Sequence, residues 1–181
     1  MRRQLDIVDA ARDITLTHGA HAVTMASIAE QTGLSRSAIY QYFSSRGHIL
    51  GELILNDMAD LCQSLEHLLA SQGDPSEKIR LWVHYCFAFL CDPEHATIQS
   101  IAKDLLPETQ LSLIGSLHGV FIAPLSNALE ELGEHTPEST SYMIYGALHQ
   151  AAQKVDSHAD FLAEAHALEK FALAFLSGYD K

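Results

Sequence analysis

The sequence predicts an all-α protein: a small three-helix head joined through a long helix to a larger helical domain. Three observations predict it. Apolar residues recur at i, i+3 and i+4 almost throughout. Cap-then-proline signals stand at Asp74-Pro75, Asp92-Pro93 and Thr136-Pro137. No stretch alternates Val, Ile and Thr between turn residues as a strand would.

The elements follow in order. Leu5, Ile7, Val8, Ala11 and Ile14 set the apolar face of a first helix ending near His18, and Gly19 supplies a left-handed stop. Thr24 is a good N-cap for a short helix through Ile28 and Ala29 to Thr32. Gly33 breaks that helix, Leu34 follows as an apolar plug, and Ser35 caps a third helix carrying Ile39 and Phe43 on one face. Ser44 or Ser45 then caps a long helix from about Arg46 to Ala70, roughly 37 Å at the usual rise. Asp74-Pro75-Ser76-Glu77 reads as cap, N1 proline and N3 glutamate. Further helices are expected near 75–91, 93–105, 108–132, 137–155 and 158–178, with Pro124 kinking the one near 108–132.

Composition bounds the function. At 181 residues, 48% hydrophobic and 19% charged, the chain is too apolar for a long disordered protein. The opening Met-Arg-Arg-Gln-Leu-Asp leads into an amphipathic pattern and does not read as a signal peptide. No uninterrupted apolar run reaches the roughly 18 residues of a membrane span, so no membrane partner is expected. Three thinly spread cysteines, Cys62, Cys86 and Cys91, fit a reduced cytoplasm. Charge is uneven. Residues 1–48 hold five Lys+Arg and four acids, a net of +1, whereas the remainder holds six and nineteen, a net of −13. Only the N-terminal quarter could approach a polyanion.

That quarter carries the informative pattern. Between Thr24 and Phe43, two short capped helices flank a tight glycine turn. Leu34, Ile39 and Phe43 point inward, which leaves Arg36, Ser37, Tyr40, Gln41 and Tyr42 for the outside or the edge. This is a helix-turn-helix, whose second helix can enter a major groove. Arginine can bond guanine in bidentate fashion, glutamine can read adenine, and serine suits either. Hydroxyls at helix starts, such as Ser35, suit phosphates.

The run Ile28-Ala29-Glu30-x-x-Gly33-Leu34-Ser35-x-Ser37-x-Ile39-Tyr40-x-Tyr42-Phe43-x-x-Arg46-x-x-Ile49-Leu50 resembles the DNA-binding signature of the tetracycline-repressor (TetR/AcrR) family. The resemblance covers about residues 5–52 and implies a DNA-binding domain over 1–48 and a ligand-binding and dimerisation domain over 49–181. It implies roles as well. Thr24 and Ser27 would touch phosphates. Arg36, Ser37 and Gln41 would face base edges, with Tyr40 on a thymine methyl or sugar. Tyr42 and Arg46 would hold the backbone. Arg46 stands where the family usually has lysine, and Gly47 where it usually has a polar residue.

Two heads on a two-fold axis would read half-sites about 34–36 Å apart, or a multiple of that, in a palindromic double-stranded operator. The last two long helices offer apolar stripes for such a homodimer, through Tyr145, Leu148 and Ala152 on one and Leu168, Ala172 and Phe175 on the other. In the family, a four-helix bundle builds the dimer. A chamber for a small-molecule inducer is expected from Met58, Leu61, Trp82, Tyr85, Phe89, Leu117, His118, Phe121 and Tyr142, aromatic walls with a few polar tips.

Eleven histidines raise the question of metal, but His84-x-Cys86 puts its ligands on different helix sides and no zinc spacing occurs, so neither metal nor cofactor is expected. No phosphate-cradling glycine loop, nucleophile elbow or His-Glu-x-x-His pattern points to an enzyme. The expectation is a transcriptional regulator, with repression relieved by an inducer. The alternative is a helical interaction module, or a cofactor-free helical enzyme, with a repurposed head.

Overall fold

The computed structural model describes residues 2–93, 95 and 106–176. Among them are eight α-helices and no strand. They are α1 (Arg2–His18), α2 (Met25–Thr32), α3 (Arg36–Tyr40), α4 (Arg46–Ala70), α5 (Pro75–Leu90), α6 (Glu108–Glu131), α7 (Pro137–Ala152) and α8 (His158–Leu176). The helix expected near 93–105 lies outside the described residues, positions 93 and 95 apart.

The chain forms two compact units, one of residues 1–60 with 93–117, the other of 61–92 with 118–181. This division is not the one drawn at residue 48. Ile49, Leu50, Leu53, Ile54 and Met58 of α4 are buried in the head's own core with Ile7, Val8, Ile14, Ile28, Ile39 and Phe43. Ile114 and Leu117 of α6 pack against the same core. Each fully buried aliphatic side chain there contributes roughly 1.5–3 kcal/mol.

The head's turns are set by local chemistry. Gly19 (φ 81°) closes α1, its amide donating to the Thr15 carbonyl at 2.9 Å. Gly33 (φ 68°) ends α2 in the left-handed conformation that a Cβ disfavours. Arg12 and Asp57 form an ion pair that ties α1 to α4.

The second unit is centred on aromatic residues. Trp82 and Phe87 of α5 are fully buried beside Phe121, Leu125 and Leu129 of α6, Ile144 and Leu148 of α7, and Leu168 of α8. The Trp82 and Phe121 rings lie 4.9 Å apart, and the indole Nε1 donates to the Phe121 carbonyl at 3.1 Å. Lys78 and Glu131 pair at 2.9 Å across α5 and α6. Asp74 caps α5, accepting from the Ser76 amide at 3.0 Å, and Pro75 occupies the first turn. Helix α6 contains Pro124 and is long and apolar enough, by length and composition, to cross a membrane. Phe121, Ile122, Leu125, Ala128 and Leu129 are buried in the second unit's core, Ile114 and Leu117 pack against the head's core, and Leu111, Leu113 and Val120 are exposed.

Candidate nucleic-acid interface

The interface is built on two caps. Thr24 precedes α2 with extended backbone, and its Oγ1 accepts from the Ser27 amide at 3.0 Å. The Thr24 amide donates back to Ser27 Oγ at 2.9 Å, which completes a capping box. Ser27 Oγ in turn donates to the Ala22 carbonyl at 2.8 Å. Ser35 repeats the device on α3, its Oγ accepting from the Ala38 amide at 3.1 Å and lying 2.9 Å from Ser37 Oγ.

These caps fix the direction of a short helix that buries one side only. Ile39 is fully buried, and Phe43 follows it into the core. Arg36, Ser37, Tyr40 and Gln41 are all exposed. Among the described residues no element of the head covers their side of the helix, so four groups able to meet base edges, sugar or phosphate stand on one solvent face. Thr24 is exposed as well, and Tyr42 is half-buried against the core.

Arg46 is placed differently from a free backbone-binding cation. It is half-buried, and its guanidinium donates to the Ala20 carbonyl at 2.7 Å. Its Nε is buried without a hydrogen-bond partner. The side chain therefore braces the loop after α1, a geometry that a forked guanidinium allows. His48, which the sequence reading passed over, meets the Phe43 ring edge-on at 5.3 Å, and the Ser44 amide faces its Nδ1 at 3.4 Å.

The residues expected to line a ligand chamber divide between the units. Met58 and Leu117 belong with the head's core. Leu61, Trp82 and Phe121 are buried in the second unit's core, with Tyr85 and Phe89 packed against it. His118 Nε2 lies 3.2 Å from the Tyr145 hydroxyl, a polar pair beside Phe121. Burial, then the neighbouring Cys86, pushes the Tyr145 phenol up to about 12. The Cys86 thiol is likewise pushed up, by burial first and then by Cys91. Tyr142 faces outward at 48% exposure.

The stripes expected to form a dimer are turned further inward than their sequence pattern implies. Leu148 is fully buried and Leu168 nearly so, both in the unit's own core, with Tyr145 and Ala152 packed against it. The side chains of Ala172 and Phe175 lie outside the described residues. Among the residues that α7 presents to solvent are Tyr142, Met143 at 65% exposure and Gly146, beside Glu138, Ser139, His149 and Gln150; α8 presents Leu162, Ala163, Ala167 and Phe171 beside His166 and Lys170. The apolar arc of each helix is wider than one face, so its periodicity marks the burial without saying which edge stays outside. Among the described residues, no three His, Cys, Asp or Glu side chains gather as a metal site would require.

Capped α2, a left-handed glycine and an outward-facing α3 define a helix-turn-helix protein with a second, helical unit. Residues 7–53 match the family model described as bacterial regulatory proteins, tetR family. Over that stretch the chain is similar to the tetR family of bacterial regulators. It is 31% identical over 88 residues to the nucleoid occlusion factor SlmA of Vibrio campbellii, covering 49% of this chain and 45% of that protein. It is 34% identical over 85 residues to the HTH-type transcriptional regulator BetI of Agrobacterium fabrum, covering 47% and 41%. The chain thus matches less than half the length of each of these relatives. Its fold extends the likeness. The transcriptional regulator FadR from Bacillus subtilis, solved in complex with stearoyl-CoA, superposes with a TM-score of 0.73 at 21% identity, over 93% of this chain and 96% of that one.

Proposed function

We propose that this chain acts in the cytoplasm as a homodimeric, sequence-specific DNA-binding repressor released by a small molecule. The observation that carries the reading is the solvent face of α3, where Arg36, Ser37, Tyr40 and Gln41 project from a helix that buries only its opposite side. A net charge of −12 does not oppose it, because one groove-filling helix needs few cations and many neutral donors. Thr24 and Tyr42 hold phosphates on either side, with Arg46 contributing mainly by fixing the loop beneath them.

Dimerisation uses the outward apolar faces of α7 and α8, Tyr142, Met143 and Gly146 with Leu162, Ala167 and Phe171, where small residues let helices approach closely. The inducer is taken up in the second unit among Trp82, Tyr85, Phe89 and Phe121, with His118 and Tyr145 as the polar anchor. That its fold relative FadR was solved with stearoyl-CoA supports a ligand with a long apolar portion. The ligand must bind the DNA-incompetent state better than the competent one, since equal affinity shifts nothing.

Replacing Arg36 tests the reading. Arg36→Ala should cost roughly 1–3 kcal/mol of operator affinity and relax preference at one symmetric base position. An equal loss on every duplex would remove Arg36 from base reading.

A further inference from the structure

Gln110 lies in the first turn of α6 and is only 4% exposed. Its Nε2 donates to the carbonyl of His48 on α4 at 2.8 Å. Its Oε1 is buried without a hydrogen-bond partner. A Cβ built on Gly51 would stand 2.0 Å from that oxygen and 2.4 Å from Cδ, with a methyl of Leu106 at 2.8 Å. Any side chain at position 51 would force the Gln110 amide and the Leu106 methyl to move. Gly51 sits inside a helix, where glycine is weaker than alanine; the space that the Gln110 amide occupies explains it.

The contact is tight but incompletely satisfied. A buried acceptor with no partner is costly, and water would supply that partner if the amide withdrew. Fit favours the seated state and polarity favours the open one, which is the condition for a reversible joint. Its position matters as well. His48 is in the opening turns of α4, and its ring rests on Phe43, just beyond α3. The same α6 continues to Phe121, whose carbonyl holds the Trp82 indole.

We infer that Gln110 is a releasable clasp: seated over Gly51, it holds the start of α6 on α4 and keeps the head in its DNA-reading arrangement, and its withdrawal is the step that disarms the head. The inference rests on the DNA-binding reading for its consequence, though not for its geometry.

The test uses the full chain, a duplex selected by the wild type, and hydrogen exchange. Gly51→Ala should evict the amide. Exchange should accelerate at residues 106–114 and 46–52, the core of α5 should stay protected, and operator affinity should fall at least about tenfold. Gln110→Ala should do the same. The double variant should be no worse than Gln110→Ala alone, because the small residue leaves room for the new methyl. Gln110→Met, which fills the space without a buried acceptor, should hold α6 seated and bind the operator at least as well as the wild type. Should Gly51→Ala fail to fold, Gln110→Ala carries the test. Wild-type exchange and affinity in the Gln110→Ala protein, or losses that multiply in the double variant, would overturn the clasp. If the wild type itself selects no duplex, the DNA reading falls, while the exchange data still decide the joint.

Discussion

The two units share a helical period but use their polar side chains differently. In the head, hydroxyls and amides are bonded to backbone: Thr24 and Ser27 around one helix start, Ser35 at the next, Arg46 on Ala20 and Gln110 on His48. The second unit also has backbone-bonded side chains at helix turns, Asp74 on the Ser76 amide and Ser141 on the Pro137 carbonyl, but it sets further polar atoms among aromatics, the Trp82 indole on the Phe121 carbonyl and His118 against the Tyr145 hydroxyl. Backbone bonds fix the course of a loop or a helix start, which is what presenting a short helix to a groove demands. Polar tips in an aromatic core fix the orientation of whatever enters that core. On the reading proposed above, the difference separates a part that presents one shape to DNA from a part that accepts a ligand.

The largest expected effect probes the second unit. Trp82→Ala removes its central ring and a buried hydrogen bond, and should cost about 3–5 kcal/mol. Calorimetry should show a lowered transition for residues 61–92 and 118–181, while the head's α1–α3 amides keep their exchange protection. Loss of that protection would mean the units do not differ in the way described. Arg46→Ala comes next. It should destabilise the head by about 2 kcal/mol, the worth of a charged donor on a carbonyl. A salt slope reduced by a full ion, with stability unchanged, would return Arg46 to the phosphates. Gly33→Ala should cost about 1 kcal/mol, because alanine resists the left-handed turn, and denaturant melting of the head reads it.

The smallest effect is chemical. Tyr145 is pushed up to about 12 in the fold from its ordinary value near 10. A raised folded value means that its contribution is present below pH 10 and is lost as pH climbs towards 12. Ultraviolet titration should show one phenol ionising after the others. Tyr145→Phe should abolish that late step and change stability at pH 7 by under about 1 kcal/mol.

Much of the head was legible because its determinants are local. Thr24, Gly33 and Ser35 act within three residues of themselves, so each cap and turn is written where it occurs. The inward set Ile39 and Phe43 followed from spacing alone. Arg46 shows what sequence position leaves out: its place fits a phosphate contact, and the fold also puts the Ala20 carbonyl within reach of its guanidinium. Gln110 left an indirect trace, Gly51 inside a long amphipathic helix, which signals a close approach without naming what approaches. The second unit was legible in its helices, with Asp74-Pro75 and Thr136-Pro137 marking starts correctly, but not in its facing. Leu148 was read as part of a dimer stripe and Tyr142 as part of a ligand chamber, yet Leu148 is buried in the unit's own core and Tyr142 is exposed. Packing against neighbouring helices decides which apolar residues of a wide arc stay outside.

Selection of duplexes from a random pool by the purified full chain tests the central claim most directly. The expected result is a palindrome whose half-sites lie about one helical turn apart, or a multiple of that, centre to centre. A pool that stays random after repeated rounds, or a bound sequence without two-fold symmetry, would contradict the account.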